Sequence, residues 1–145
     1  MISVVICSKN EEKRIKDCIE SVVLECPDEI ILVDGDSIDA TVEIARSFGV
    51  RVIQSKDSNL TRDRQIGVDA CRNELIAMID SDHRLNSGDL AGLERDLMEL
   101  DLDIVQASLK IQPIGFLCRG EKQYTDLIIN KPGEKEMIGV APCLY

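Results

Sequence analysis

Four short runs of aliphatic and β-branched residues recur along this chain, each followed by a stretch with helical spacing. The runs lie at residues 3–7, 29–33, 51–54 and 75–79. Residues 11–24 place Ile15, Cys18, Ile19, Val22 and Val23 at the period of a helix buried on one face. Strand, helix, strand in series closes into a mostly parallel sheet with helices on both faces. The expected fold is therefore α/β.

Local signals place the boundaries. Asn10 is expected to cap the first helix, and Cys26-Pro27-Asp28 to break it. Asp39 or Thr41 starts a second helix that runs to about Phe48 and ends at Gly49. Residues 56–59 read as polar loop, and Thr61 as the cap of a third helix with Ile66, Ala70 and Cys71 inward. Ser87 is expected to cap a fourth, carrying Leu90, Leu93, Leu97 and Leu100. A strand is expected at 103–111, a helix at 117–130, a loop at 131–135 and a last strand at 137–145. No internal repeat or low-complexity linker interrupts the series.

A chain of 145 residues fits one domain. With aromatics at 3% and no Trp, the core must be built from Ile, Leu, Val and Ala. The net charge of −10 repels polyanions, so nucleic acid is not an expected partner, and a phosphate ligand needs a cation or a local basic pocket. None of the six cysteines forms a Cys-x-x-Cys pair. Cys7, Cys18, Cys71 and Cys143 sit in apolar or helical patterns and read as buried thiols of a reducing cytoplasm. Residues 1–6 already read as strand, so no cleaved leader is expected, and no apolar run is long enough to span a bilayer.

Polar residues gather where the strands end, and open α/β sheets bind ligands beyond the carboxyl ends of their strands. Asp80-Ser81-Asp82 follows the fourth run, with two carboxylates that suit a hard divalent cation sharing its ligands with phosphate. Asp34-Gly35-Asp36-Ser37-Ile38-Asp39 follows the second; a turn accounts for its residue types as well as a site does. Ser8-Lys9-Asn10-Glu11-Glu12 follows the first and can form the lip of a pocket or a plain helix start. Arg62 and Arg64 open the third helix, where side-chain charge and free amides can meet a diphosphate or simply be solvated. Gly67 points to close packing or to a close backbone approach. His83 and Arg84 are weaker candidates, and a loop histidine is most often merely exposed.

The order of these motifs resembles the family 2 glycosyltransferases, inverting enzymes with a GT-A type, Rossmann-like sheet. The resemblance rests on Asn10-Glu11 after the first strand, Val33-Asp34-Gly35-Asp36-Ser37-Ile38-Asp39 with Thr41 close behind, Arg64-Gln65-Ile66-Gly67, and Asp80-Ser81-Asp82. It is close over residues 1–110 and looser beyond. It implies a nucleotide-sugar donor (UDP-, GDP- or dTDP-linked), Asp34 facing the base with Ser8, Asn10, Glu11, Asp36 and Ser37 around it, and Arg64 on phosphate. It also implies Asp80 and Ser81 near ribose or sugar, and Asp82 with Asp80 on Mg or Mn. Gln65 departs from the family's usual Asn.

The acceptor implied is a hydroxyl, a glycan or a lipid phosphate. A general base has no convincing match: Asp126 and Glu134 are carboxylates that nothing in the pattern nominates. The expectation is a single, C-terminally truncated domain, with residues 1–110 binding donor and 111–145 beginning the acceptor part, and any membrane association lying in missing sequence. Two other functions compete. One is a nucleotide-sugar-binding domain without catalysis. The other is a sugar-phosphate nucleotidyltransferase, disfavoured because no glycine-rich basic loop follows the first strand.

Overall fold

The computed structural model describes residues 1–56, 59–107 and 143–144. Its elements alternate as the apolar runs require: β1 (Ile2–Ser8), α1 (Ile15–Leu24), β2 (Glu29–Asp34), α2 (Thr41–Ser47), β3 (Arg51–Gln54), α3 (Leu60–Ala70), β4 (Leu75–Asp80), α4 (Asp89–Glu99) and β5 (Val105–Gln106), with β6 (Cys143–Leu144) last. The sheet order is β3-β2-β1-β4-β6-β5. The first four strands are parallel, and β6 runs antiparallel between β4 and β5. Of the strand expected at 103–111, only Val105–Gln106 is found among the described residues. The helix expected at 117–130, the loop at 131–135 and most of the last strand lie outside them.

Alternation along β1 divides the core. Val4 and Ile6 join Leu32, Ala77 and Ile79 on the face covered by Ile15, Cys18, Ile19 and Val22 of α1, Ala45 of α2, and Leu90, Leu93 and Leu97 of α4. Val5 and Cys7 join Ile31 and Val33 on the other face, beneath Ile66 and Ala70 of α3. Helices thus cover both faces, as expected. Gly67 is what lets α3 lie so close. A Cβ there would stand 2.3 Å from Val5 Cγ1 and 3.2 Å from Val33 Cγ2.

Several local expectations are corrected. The first helix begins at Ile15 rather than near residue 11, because Asn10 is left-handed at φ 55° and residues 11–14 form a turn. Asn10 caps no helix; its side chain accepts instead from Ile38 N–H at 2.9 Å. Asn59, not Thr61, caps α3, accepting from Thr61 N–H at 3.0 Å. Ser87 does not cap α4, where Gly88 takes the N-cap position at φ 86°. The free amides there are met by Glu25 from the end of α1, which accepts from Gly88 N–H at 2.7 Å and Leu90 N–H at 2.9 Å. Leu100 lies beyond α4 and is exposed. Cys7 and Cys18 are buried as expected, whereas Cys71 is half-buried.

Candidate donor site at the carboxyl edge of the sheet

Parallel register brings the motif-bearing ends together. Ser8 pairs with Asp34, Cys7 with Asp80, and Asp34 with Gln54. The loops after β1, β2 and β4 and the first turn of α3 therefore share one edge.

The first two loops are knitted into one unit. Asp34 is fully buried, and its Oδ2 accepts from Ser37 N–H at 3.0 Å while its Oδ1 accepts from Ser37 Oγ at 2.5 Å. Ser37 Oγ in turn accepts from Asn10 N–H at 2.8 Å. Glu11 N–H donates to Thr41 Oγ1 at 2.8 Å, and Thr41 Oγ1 donates to Asp39 Oδ1 at 2.5 Å. Asp39 Oδ2 accepts from Glu12 N–H at 3.1 Å, and Glu12 Oε2 from Ala40 N–H at 3.3 Å. Desolvation works to raise the Asp39 pKa, but the donors from Thr41 and Glu12 outweigh it and hold the carboxyl below its usual range. Asp36 is exposed and left-handed at φ 65° beside this knot.

Across the edge, Asp80 ends β4 and accepts from Arg64 Nη2 at 3.0 Å. The chain then turns through His83 N–H, which donates to the Asp80 carbonyl at 2.9 Å. Ser81 is buried, and Asp82 stands into solvent with 58% of its side chain exposed. His83 Nε2 lies 3.8 Å from Asp82 Oδ1. Below the turn, Cys18 Sγ donates to the Asp80 carbonyl at 3.7 Å. Burial, reinforced by Asp82 and Asp80, pushes the Cys18 thiol up to about 12. Burial likewise lifts Cys7 to about 12, with Arg64 opposing and Asp63 and Asp80 adding to it. Both thiols are neutral at physiological pH and offer no nucleophile.

Among the described residues, three buried polar atoms at this edge find no partner: Ser8 Oγ, Asp63 Oδ1 and His83 Nδ1. Asp63 was not singled out by the sequence, where an acidic residue in a helix's first turn reads as solvated. It is in fact buried against the sheet, and only its place four residues before Gly67, on the same stripe of α3, could have betrayed it. Arg84 is drawn away from the edge into an ion pair with Asp17 of α1.

The donor chemistry suits a hard divalent cation. Among the described residues no three His, Cys, Asp or Glu side chains converge as a cage. Mg and Mn bound with a diphosphate need no cage, since one or two carboxylates suffice and phosphate oxygens and water complete the shell. Asp82, exposed beside the half-buried Asp80, meets that requirement.

Comparison with known proteins agrees with this arrangement. The sequence profile described as "Glycosyl transferase family 2" matches residues 3–137, and the chain belongs to that family. An uncharacterized glycosyltransferase of Rickettsia typhi is 38% identical over 85 residues, which are 59% of this chain. The chain spans 29% of that relative's length. Among solved structures, S. aureus TarS in complex with UDP-GlcNAc superposes with a TM-score of 0.71 at 21% identity, covering 79% of this chain and 36% of TarS. The mannosyltransferase PcManGT from Pyrobaculum calidifontis, in complex with GDP-Man and Mn2+, gives 0.70 at 15% identity, covering 75% and 35%. These structural neighbours share the GT-A fold, which is the fold of this chain.

Proposed function

We propose that this chain is the donor-binding part of an inverting glycosyltransferase, which moves a sugar from a nucleoside-diphosphate sugar to an acceptor hydroxyl or lipid phosphate. One observation carries the reading. The Arg64–Asp80 pair, the exposed Asp82 and the buried Asp34 turn lie along one edge of a parallel sheet, so a guanidinium, two neighbouring carboxylates and a hydrogen-bonded pair of loops occur together. The ligands of two structural neighbours, UDP-GlcNAc in TarS and GDP-Man with Mn2+ in PcManGT, support the ligand class.

In this reading residues 1–110 bind donor and 111–145 begin the acceptor part. Asp34 rigidifies the turn against which the nucleoside lies. Ser8, Asn10, Glu11, Asp36 and Ser37 form the lip. Arg64 meets a phosphate, Asp80 and Ser81 face ribose or sugar, and Asp82 with Asp80 would hold Mg or Mn. When bound, such an ion offsets the charge that builds on the leaving diphosphate. Asp126 and Glu134 lie outside the described residues, and no residue is given the role of general base. In this reading the domain works in the reducing cytoplasm, where cysteines set in apolar and helical patterns stay as thiols. No helix of the described residues is long and apolar enough to cross a membrane.

The test is calorimetric titration of UDP-, GDP- and dTDP-sugars with and without Mn2+. Metal-dependent binding of one of them, abolished by Asp82→Ala, is the expected result. Absence of nucleotide binding under every condition would defeat the reading.

A further inference from the structure

We infer that the Arg64–Asp80 ion pair is a latch that makes diphosphate and divalent metal bind cooperatively, each being poorly accepted without the other. The inference rests on the donor-site reading and concerns what these two side chains do before any ligand arrives. Arg64 Nη2 stands 3.0 Å from Asp80 Oδ1, with 38% and 26% of the two side chains exposed. The residue offered to phosphate and a residue offered to metal are therefore already each other's partners. The pair is half-buried, so water replaces neither partner fully.

The charge accounting follows directly. A diphosphate arriving alone takes Arg64 and leaves the Asp80 carboxylate unpaired beside a new anion. A divalent cation arriving alone takes Asp80 and leaves the Arg64 guanidinium unpaired beside a new cation. When both arrive, Arg64 meets phosphate, Asp80 meets metal, and every charge has an opposite neighbour. Linkage then requires that each ligand raise the affinity for the other by the same factor, commonly between about 5-fold and 150-fold. No change of backbone is needed, because a guanidinium with five donors can turn between a carboxylate and a phosphate.

Breaking the latch improves binding of one ligand, a result that mere misfolding cannot mimic. The probes are Mn2+ alone, followed by electron paramagnetic resonance, and UDP in EDTA, followed by calorimetry. Arg64→Gln frees Asp80 and is expected to tighten Mn2+ alone by about 5-fold. Asp80→Asn frees Arg64 and is expected to tighten UDP in EDTA by a similar factor, while the gain from added Mn2+ disappears. Asp82→Asn and Arg84→Gln make the same charge changes nearby without touching the pair, and are expected to give smaller gains than their counterparts. The latch is overturned if wild type binds UDP and Mn2+ independently, or if the control substitutions match Asp80→Asn and Arg64→Gln. Those results would leave the donor site standing. Failure of wild type to bind UDP under any condition would remove both.

Discussion

The two edges of the parallel sheet treat polar residues in opposite ways. At the amino edge the polar groups that are buried find partners. Glu29, with 10% of its side chain exposed, accepts from Ser3 Oγ at 3.0 Å and Arg72 N–H at 3.1 Å, and pairs with Arg51 at 3.3 Å and Arg72 at 3.6 Å. Asp28 accepts from Ile2 N–H at 2.7 Å, and Asn73 Nδ2 donates to Ser3 Oγ at 3.1 Å. At the carboxyl edge Ser8 Oγ, Asp63 Oδ1 and His83 Nδ1 are buried without partners among the described residues, as is Gln106 Nε2 of β5. Unsatisfied buried groups cost stability, and they are tolerated where a site needs spare hydrogen-bonding capacity. One edge is built to hold the sheet, and the other keeps the spare hydrogen-bonding capacity that the proposed donor site would use.

The sharpest way to break this contrast is through α3, which touches both edges. Its first turn carries Asp63 and Arg64, and its last carbonyl, of Ala70, accepts from Arg51 at 3.0 Å. Gly67→Ala would drive a Cβ against Val5 and Val33 between two packed surfaces. A loss of about 3 kcal/mol is expected, the upper part of the usual overpacking cost, read as a lower urea midpoint. UDP affinity should fall as well, since α3 can relieve the clash only by lifting Arg64 away from the edge. A variant with unchanged stability would show that α3 does not lie as close as the contacts require.

The amino edge alone is tested at Glu29. Burial raises its pKa, but the Arg72 amide, the Ser3 hydroxyl and the two arginines outweigh burial and hold it below the ordinary 4.5. Glu29→Gln keeps the shape and removes the charge that these donors meet, at a cost of about 2 kcal/mol at neutral pH. The sign follows from linkage. A carboxylate with a depressed folded pKa stabilises fully above its unfolded value and ceases to do so as pH falls through the folded one. The gap between wild type and Glu29→Gln should therefore close on acidification below about pH 4. A constant gap from pH 7 to pH 3 would mean that shape rather than charge supplies the stability. Nucleotide binding at the opposite edge should not change.

The contrast also explains what the sequence could reveal. The strands and helix faces are legible because their apolar periods are local, and β3 is found at the residues its β-branched run marks. Asp34, Arg64 and Asp80 are legible as site candidates because strand ends and a helix start are themselves readable. Partnership is not local. Glu25 finds Gly88 and Leu90 more than sixty residues away, and Asn10 finds Ile38 on a neighbouring loop, so two of the expected caps, Ser87 and Asn10, are displaced by distant contacts. The engagement of Asp34 by Ser37 is local yet ambiguous, since the same residues write a plain turn and a nucleoside lip.

Asp63 gives the smallest expected effect and the most discriminating one, because its sign is opposite. Removing a buried acid normally destabilises when partners are left behind, as at Glu29. Here Oδ1 has no partner among the described residues, so Asp63→Ala deletes an uncompensated polar atom and adds a good helix former in the first turn of α3. The vacated space is that of one short side chain, and stability should rise by about 1 kcal/mol in urea denaturation. A drop of the size expected for Glu29→Gln would mean that Asp63 is satisfied in solution, and the two edges would then differ only in loop length. A gain in stability accompanied by weaker UDP binding would instead make Asp63 part of the receiving edge, its cost to the fold offset only when ligand is bound.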